Sequence, residues 1–181
     1  FRFIDPAVTL TPQNSSAGSQ NITASTSIFS SSWVGETIEF TDSNDVVHHI
    51  EITAYTSGTV VVGTFDTAPH NTNARATWKE QVFSSRRGYA RSVTFHDQRL
   101  IFGGSRDLPN HLFMSQTGEF FNFDTGEALD SESIQIQIAE NQISEIKALG
   151  SFRHLTIFTS EQELFVPTTE NKPLTPTTIS V

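Results

Sequence analysis

The chain contains no cysteine, which excludes a disulfide framework and any thiolate-bound metal. Its stability must therefore come from burial and strand pairing alone. Long apolar runs are missing as well. Nothing approaches the ~20 consecutive apolar residues that a membrane-spanning helix requires, so no stable membrane insertion is expected. No basic stretch followed by an apolar one opens the chain, and no signal peptide is expected in it. Cations are scarce: 11 Lys and Arg stand against 20 Asp and Glu, a net charge of −9 at pH 7. That balance argues against general nucleic-acid binding, where affinity comes from cations on phosphate.

Catalytic signatures are equally sparse. There is no G-x-S-x-G elbow, phosphate loop or dinucleotide fingerprint. Six histidines invite a metal reading, but His70, His96, His111 and His154 lack ligand spacing. The adjacent His48 and His49 would point to opposite faces of a strand. Asp124, Glu127, Asp130 and Glu132 cluster as glycosidase carboxylates would, yet a loop dense in acids is more often solvated surface. Neither that loop nor Asp42–Asp45 follows the calcium-loop pattern. The expectation is a protein with no cofactor, no metal and no catalytic role.

What the chain does contain is β-forming sequence. Ser, Thr and 15 Phe residues favour strands, and apolar positions alternate: Ile38 and Phe40, Ile50 and Ile52, then Ile134, Ile136 and Ile138. A period of two marks sheets with one wet face. Turn chemistry separates the runs at Asp42–Asp45, Ser57-Gly58, Asp97-Gln98, Thr117-Gly118 and Asp124–Gly126. Residues 139–149 could form a short helix, with a strand from Ile143 onward as the preferred reading.

Five short strands are expected at about residues 7–11, 20–29, 36–41, 46–55 and 59–65. They suffice for a small barrel or sandwich over residues 1–66. Residues 67–77, with Pro69 and no periodicity, read as a linker. Residues 78–181 carry Phe-rich strand pairs that echo one another. Arg99–Ser105 is echoed by Leu155–Ser160, displaced by 56 residues (Ile101 to Ile157), and Leu112–Met114 by Leu164–Val166, displaced by 52 (Leu112 to Leu164). That spacing is near the period of a propeller blade. The predicted fold class is all-β, a small N-terminal β-barrel or sandwich followed by propeller-like antiparallel repeats. Those repeats amount to about one blade and most of a second, and are incomplete in this chain because closure takes about four blades or more.

Lys79, Arg86, Arg87, Arg91, Arg99 and Arg106 concentrate in one stretch, opposed there only by Glu80 and Asp97. They read either as ion pairs with acids elsewhere in the fold or as a basic seam toward a partner subunit or DNA. Gly103-Gly104 follows a strand where a side chain would clash. Val93, Phe95, Leu100 and Phe102 are expected to form the buried faces of a hairpin turning at Asp97-Gln98. Trp33 and Trp78 are expected in the core.

The stretch from Trp78 to Phe123 reads W-K-E-Q-V-F-S-S-R-R-G-Y-A-R-S-V-T-F-H-D-Q-R-L-I-F-G-G-S, then N-H-L-F-M-S-Q-T-G-E-F-F-N-F. It resembles the tail tubular protein B, or nozzle, family of short-tailed bacteriophages. Those proteins carry F-S-x-x-R-G-Y-P-R, V-x-F-H-x-Q-R-L-x-F-G-G and S-x-T-G-D-F-F-N-F. Ala90 stands where the family has Pro, and Glu119 where it has Asp. V-T-L-T-P at 8–12, I-T-A-Y-T-S-G-T-V-V-V-G-T at 52–64 and P-L-T-P-T at 173–177 extend the likeness. The resemblance implies a virion tail protein made in the bacterial host cytoplasm. It implies a hexameric ring with a β-propeller in each subunit, around a channel in which DNA is passing cargo. The implied partners are other tail proteins: an adaptor ring above, and fibres or a tip below. The motif residues Arg87, Gly88, Tyr89, Arg91, His96, Arg99, Gly103 and Gly104 are the candidate interface or structural set. Within it, Arg87, Arg91 and Arg99 are expected to hold carbonyls or carboxylates at subunit or domain seams. The competing reading is a carbohydrate- or receptor-binding β domain of a phage tail or secreted protein.

Overall fold

Alternating side chains need a sheet that shows one face to a core, and the chain builds three such sheets. The computed structural model describes residues 2–3, 6–125, 129–138, 144–166 and 175–176. The fold is all-β: among the described residues there is no α-helix, and none is present that could cross a membrane. The chain divides into two units, Phe1–Arg87 and Gly88–Val181.

The first unit is one antiparallel sheet of seven strands: β1 (Arg2–Phe3), β2 (Leu10–Pro12), β3 (Gly18–Ala24), β4 (Thr37–Thr41), β5 (Val47–Ser57), β6 (Val60–Phe65) and β7 (Trp78–Glu80). Their order is β1-β7-β4-β5-β6-β3-β2. The expected alternation holds. Ile38 and Phe40 of β4 and His48, Ile50 and Ile52 of β5 point inward, while His49 and Glu51 face solvent. The sheet curls until its ends meet. Leu10, on the edge strand β2, exchanges two backbone hydrogen bonds of 2.9 Å with Arg75, just ahead of β7. The indole Nε1–H of Trp78 donates to the Val8 carbonyl at 2.9 Å across the same junction. Inside lie Leu10, Ile22, Ile38, Phe40, Phe65 and Trp78, with Trp33 packed edge-on to Phe29 from a 3-10 turn, Ser31–Trp33.

This closure corrects the expected boundary. Residues 67–77 run along the first sheet, through the Arg75 bridge and a Thr77 hydroxyl bond to the Thr41 carbonyl. Trp78–Glu80 pairs with β4. The division falls between Arg87 and Gly88, so β7, paired between β1 and β4, belongs to the first unit.

The second unit opens with a four-stranded antiparallel meander. It consists of β8 (Ser92–His96), β9 (Arg99–Gly103), β10 (His111–Met114) and β11 (Ile134–Gln137), in the order β11-β10-β9-β8. A three-stranded meander follows, β12 (Ile146–Ser151), β13 (Leu155–Thr159) and β14 (Glu163–Val166). The preferred strand reading holds over Ile146–Ser151, and residues 139–143 lie outside the described set. The two sheets share one core of Ile101, Leu112, Met114, Ile146, Leu155 and Ile157.

The hairpin turn is where it was expected, with Asp97 at φ 46° and Gln98 at φ 59°. Both central residues are left-handed, as a two-residue hairpin turn of matching twist requires. The expected face is covered only in part. Leu100 is buried as expected and Phe102 half-buried, but Val93 and Phe95 are 56% and 58% exposed, and Arg99, Ile101 and Gly103 on the other face point into the unit. Alternation fixes which residues share a face and leaves open which face the neighbouring sheet covers.

The closure of the first sheet yields a test. Trp78→Phe keeps most of the ring but strips the buried Val8 carbonyl of its donor, and unsatisfied buried groups cost about 1–3 kcal/mol. Urea unfolding followed by circular dichroism should show a loss of that size, and an unchanged midpoint would show that the indole bond contributes nothing.

Candidate functional site

The motif residues are distributed along the structural joints of both units and do not gather in one cleft. In the first unit, Glu80 of β7 is 4% exposed, and a carboxylate so placed needs partners. Arg86 and Arg87 both supply them, each with a guanidinium on one of its oxygens. Arg86 also lies 3.7 Å from the centroid of the Trp33 ring, a cation–π stack. The Arg87 backbone N–H donates to Ser84 Oγ at 3.1 Å.

In the second unit the motif builds the first sheet and seats the second upon it. Gly88 has φ +85°, and a Cβ there would lie 2.7 Å from Arg106 Cβ. Tyr89 is 66% exposed. The Arg91 backbone N–H donates to the Gly103 and Gly104 carbonyls at 3.2 and 2.9 Å, and its guanidinium pairs with Glu145. Bonds from Lys147 and Arg91 hold the Glu145 carboxyl below the usual range. His96 Nδ1 lies 2.9 Å from Ser151 Oγ on β12, while its buried Nε2 has no hydrogen-bond partner. Gly103 permits the closest approach of the two sheets: a Cβ on it would lie 3.0 Å from side-chain carbons of both Ile146 and Leu149. At Gly104, φ is +60° and a Cβ would meet the Pro109 carbonyl at 2.8 Å.

Arg99 is the most unusual member, a cation only 1% exposed. Its Nη1 donates to the carbonyls of Ser115 at 2.6 Å and Glu132 at 2.5 Å, and its Nη2 to that of Asp130 at 2.8 Å. Burial pulls its pKa below the ordinary guanidinium value, with the Asp97 carboxylate opposing. The fork geometry of guanidinium suits three convergent carbonyl dipoles. The acidic cluster thus contributes through its backbone at Asp130 and Glu132. Asp124 and Asp130 are solvent-exposed, and Glu127 lies outside the described residues.

All six clustered cations are engaged in this way. Lys79 pairs with Glu39 at 2.9 Å and Arg106 with Asp107 at 2.9 Å, beside the contacts already given. Local pairing is therefore the reading the geometry supports, rather than a free basic seam. Among the described residues no group of three or more His, Asp or Glu is placed to hold a metal ion.

One constellation was not anticipated. His48, fully buried, places Nε2 3.1 Å from Asp42 Oδ2 and Nδ1 2.8 Å from Thr67 Oγ1. Asp42 also accepts the backbone N–H of His70 at 2.9 Å, Asn44 at 2.8 Å and Val46 at 3.1 Å. Burial alone would raise the Asp42 pKa, but the bonds from His70, His48, Asn44 and Val46 together hold it well below the usual carboxylate range. A hydroxyl, imidazole and carboxylate in a row also describes an activated nucleophile. Here the imidazole is sealed from solvent, and the Thr67 hydroxyl also faces Asp66 Oδ1 at 3.3 Å. The row ties the β4–β5 turn to residues 66–70. The signal for it was Asp42 in a turn six residues before an inward-facing His48, a pairing visible only once the hairpin register is known.

Compared with protein-family models and with curated proteins, the chain matches none.

Two outcomes test this site. Arg99→Ala leaves three converging carbonyls without their donor and should destabilise the fold by about 3 kcal/mol or more, at about 1–3 kcal/mol per unsatisfied buried group. Arg91→Ala removes a solvent-screened ion pair and should cost far less. Melting curves of the two variants should separate clearly. The second outcome concerns pH. Because the folded-state pKa of Asp42 is depressed, its charge stabilises the fold above the unfolded value of 3.8, and that contribution is lost as pH falls toward the folded value. The stability gap between wild type and Asp42→Asn should be widest near neutral pH and shrink below about pH 4. A gap constant with pH would contradict the role given to the carboxylate.

Proposed function

We propose that this chain is a structural component of a short bacteriophage tail, a nozzle-type subunit that acts through protein–protein contacts and not through chemistry. The resemblance of residues 78–123 to the tail tubular protein B family supports the reading. The observation that carries it is how the motif residues are occupied. Arg87, Arg91 and Arg99 hold carboxylates and carbonyls within their own units, and Gly103 and Gly104 let two sheets approach. A motif so engaged shapes a scaffold rather than an active centre. On this proposal the whole protein forms a hexameric ring, its propeller completed by further blades. It joins an adaptor ring above and fibres or a tip below, in the virion tail. The net charge of −9 suits a wall past which DNA travels, since a surface poor in free cations gives phosphate little to hold.

Immunogold labelling tests it directly. Antibodies raised against this chain should mark the tails of short-tailed particles whose genome encodes the sequence. Label on the capsid alone, or absent from purified virions, would refute the proposal.

A further inference from the structure

The row of Asp42, His48 and Thr67 begins in the core of the first unit and ends at its surface. Against the pull of burial, bonds from His70, His48, Asn44 and Val46 keep Asp42 ionised. Its Oδ2 lies 3.1 Å from His48 Nε2, so that nitrogen is the one to bear the proton. His48 Nδ1 then presents its lone pair to Thr67 Oγ1 at 2.8 Å. The rings of Phe40 and Phe65 flank the fully buried imidazole, with centroids 6.3 and 5.9 Å away. The seal stops at Thr67, which is itself exposed.

Two neighbours complete the arrangement. Asp66 accepts the Thr67 backbone N–H at 2.7 Å and sets its carboxylate 3.7 Å from His48 Nδ1, where it favours an imidazolium. Its side chain is 46% exposed, so a negative charge stands at the approach to the hydroxyl and turns anionic reactants away. Asp66 Oδ1 is also a rival acceptor for that hydroxyl, but at 3.3 Å against the 2.8 Å of the imidazole. Ala68, next in the chain, is exposed, and its N–H has no hydrogen-bond partner among the described residues. An unengaged N–H beside a hydroxyl is a donor available to an oxyanion forming there.

We propose that Thr67 is a nucleophile toward neutral acyl esters, with His48 as its general base and Asp42 as the positioning residue behind it. Thr67 Oγ1 bonds to the acyl carbon as its proton passes to His48 Nδ1. The ester's C–O bond then breaks, the imidazolium returns the proton to the departing oxygen, and an acyl-threonine remains. The role in a tail uses none of these residues, and the inference stands apart from it.

A small neutral ester, p-nitrophenyl acetate, tests it on the intact chain. The folded chain should release about one equivalent of p-nitrophenolate in an initial burst, and peptide mapping should find the acetyl group on Thr67. Base-assisted attack contributes about a hundredfold or more, so Thr67→Val should slow the burst at least about tenfold, whereas Thr67→Ser should keep it. Chain unfolded in urea should gain no acetyl group at Thr67. Should Thr67→Val melt early, the urea comparison on the unmodified chain decides. Acetylation confined to lysines, an equal burst from folded Thr67→Val, or labelling of Thr67 as fast in urea as in the folded chain would overturn the proposal.

Discussion

A guanidinium buried where water cannot reach it must find its partners in the protein, and Arg99 finds them in the backbone. Ser115 follows β10 directly, and Asp130 and Glu132 precede β11. One side chain on β9 therefore fixes both the exit of the neighbouring strand and the return of the chain to the strand beyond it. Ile134 and Ile136 enter the sheet from that return, opposite Met114 and Leu112, and pack in the shared core. An arginine here cannot be replaced by an apolar residue of equal bulk without leaving three carbonyls unsatisfied. Lysine, with one ammonium, could not span them.

The same economy governs the other ionic groups. Glu80 takes two arginines, Glu145 takes Arg91 and Lys147, and Asp42 gathers three backbone amides and an imidazole. Each closes a joint inside its own unit: the start of the segment after β7, the approach of β12 to β8, the turn between β4 and β5. Beside these engaged charges, several large aromatics lie at the surface. The outward aromatics Phe95, Phe121, Phe152 and Phe165 are each more than half exposed.

Much of this was readable from the chain. Period two located the strands of the first unit to within a few residues, and Asp97-Gln98 was recognisable as a turn from its place between alternating runs. The echo of Arg99–Ser105 in Leu155–Ser160 falls on β9 and β13, and its matched pair, Ile101 and Ile157, are both fully buried in one core. Val93 and Phe95 were expected inside because a strand pair rich in apolar side chains on both faces gives alternation nothing to choose by. The Arg99 site was illegible for another reason. Its acceptors are backbone carbonyls, which leave no mark in residue identity. The closure of the first sheet through Arg75 depends likewise on main-chain bonds.

Repetition by displacement has a consequence that symmetry by rotation avoids. Two sheets related by a twofold axis can bury like faces and show solvent two like, polar ones. Two sheets related by displacement must bury unlike faces, so apolar side chains are left on an outer surface. The chain partly answers this on the β9–β10 side, where Phe120 and Phe123 cover their own sheet. On the second sheet the His154 ring lies 5.8 Å from that of Phe165, which is still 59% exposed. The exposed phenylalanines on these faces are the cost of turning apolar sheet surface to solvent.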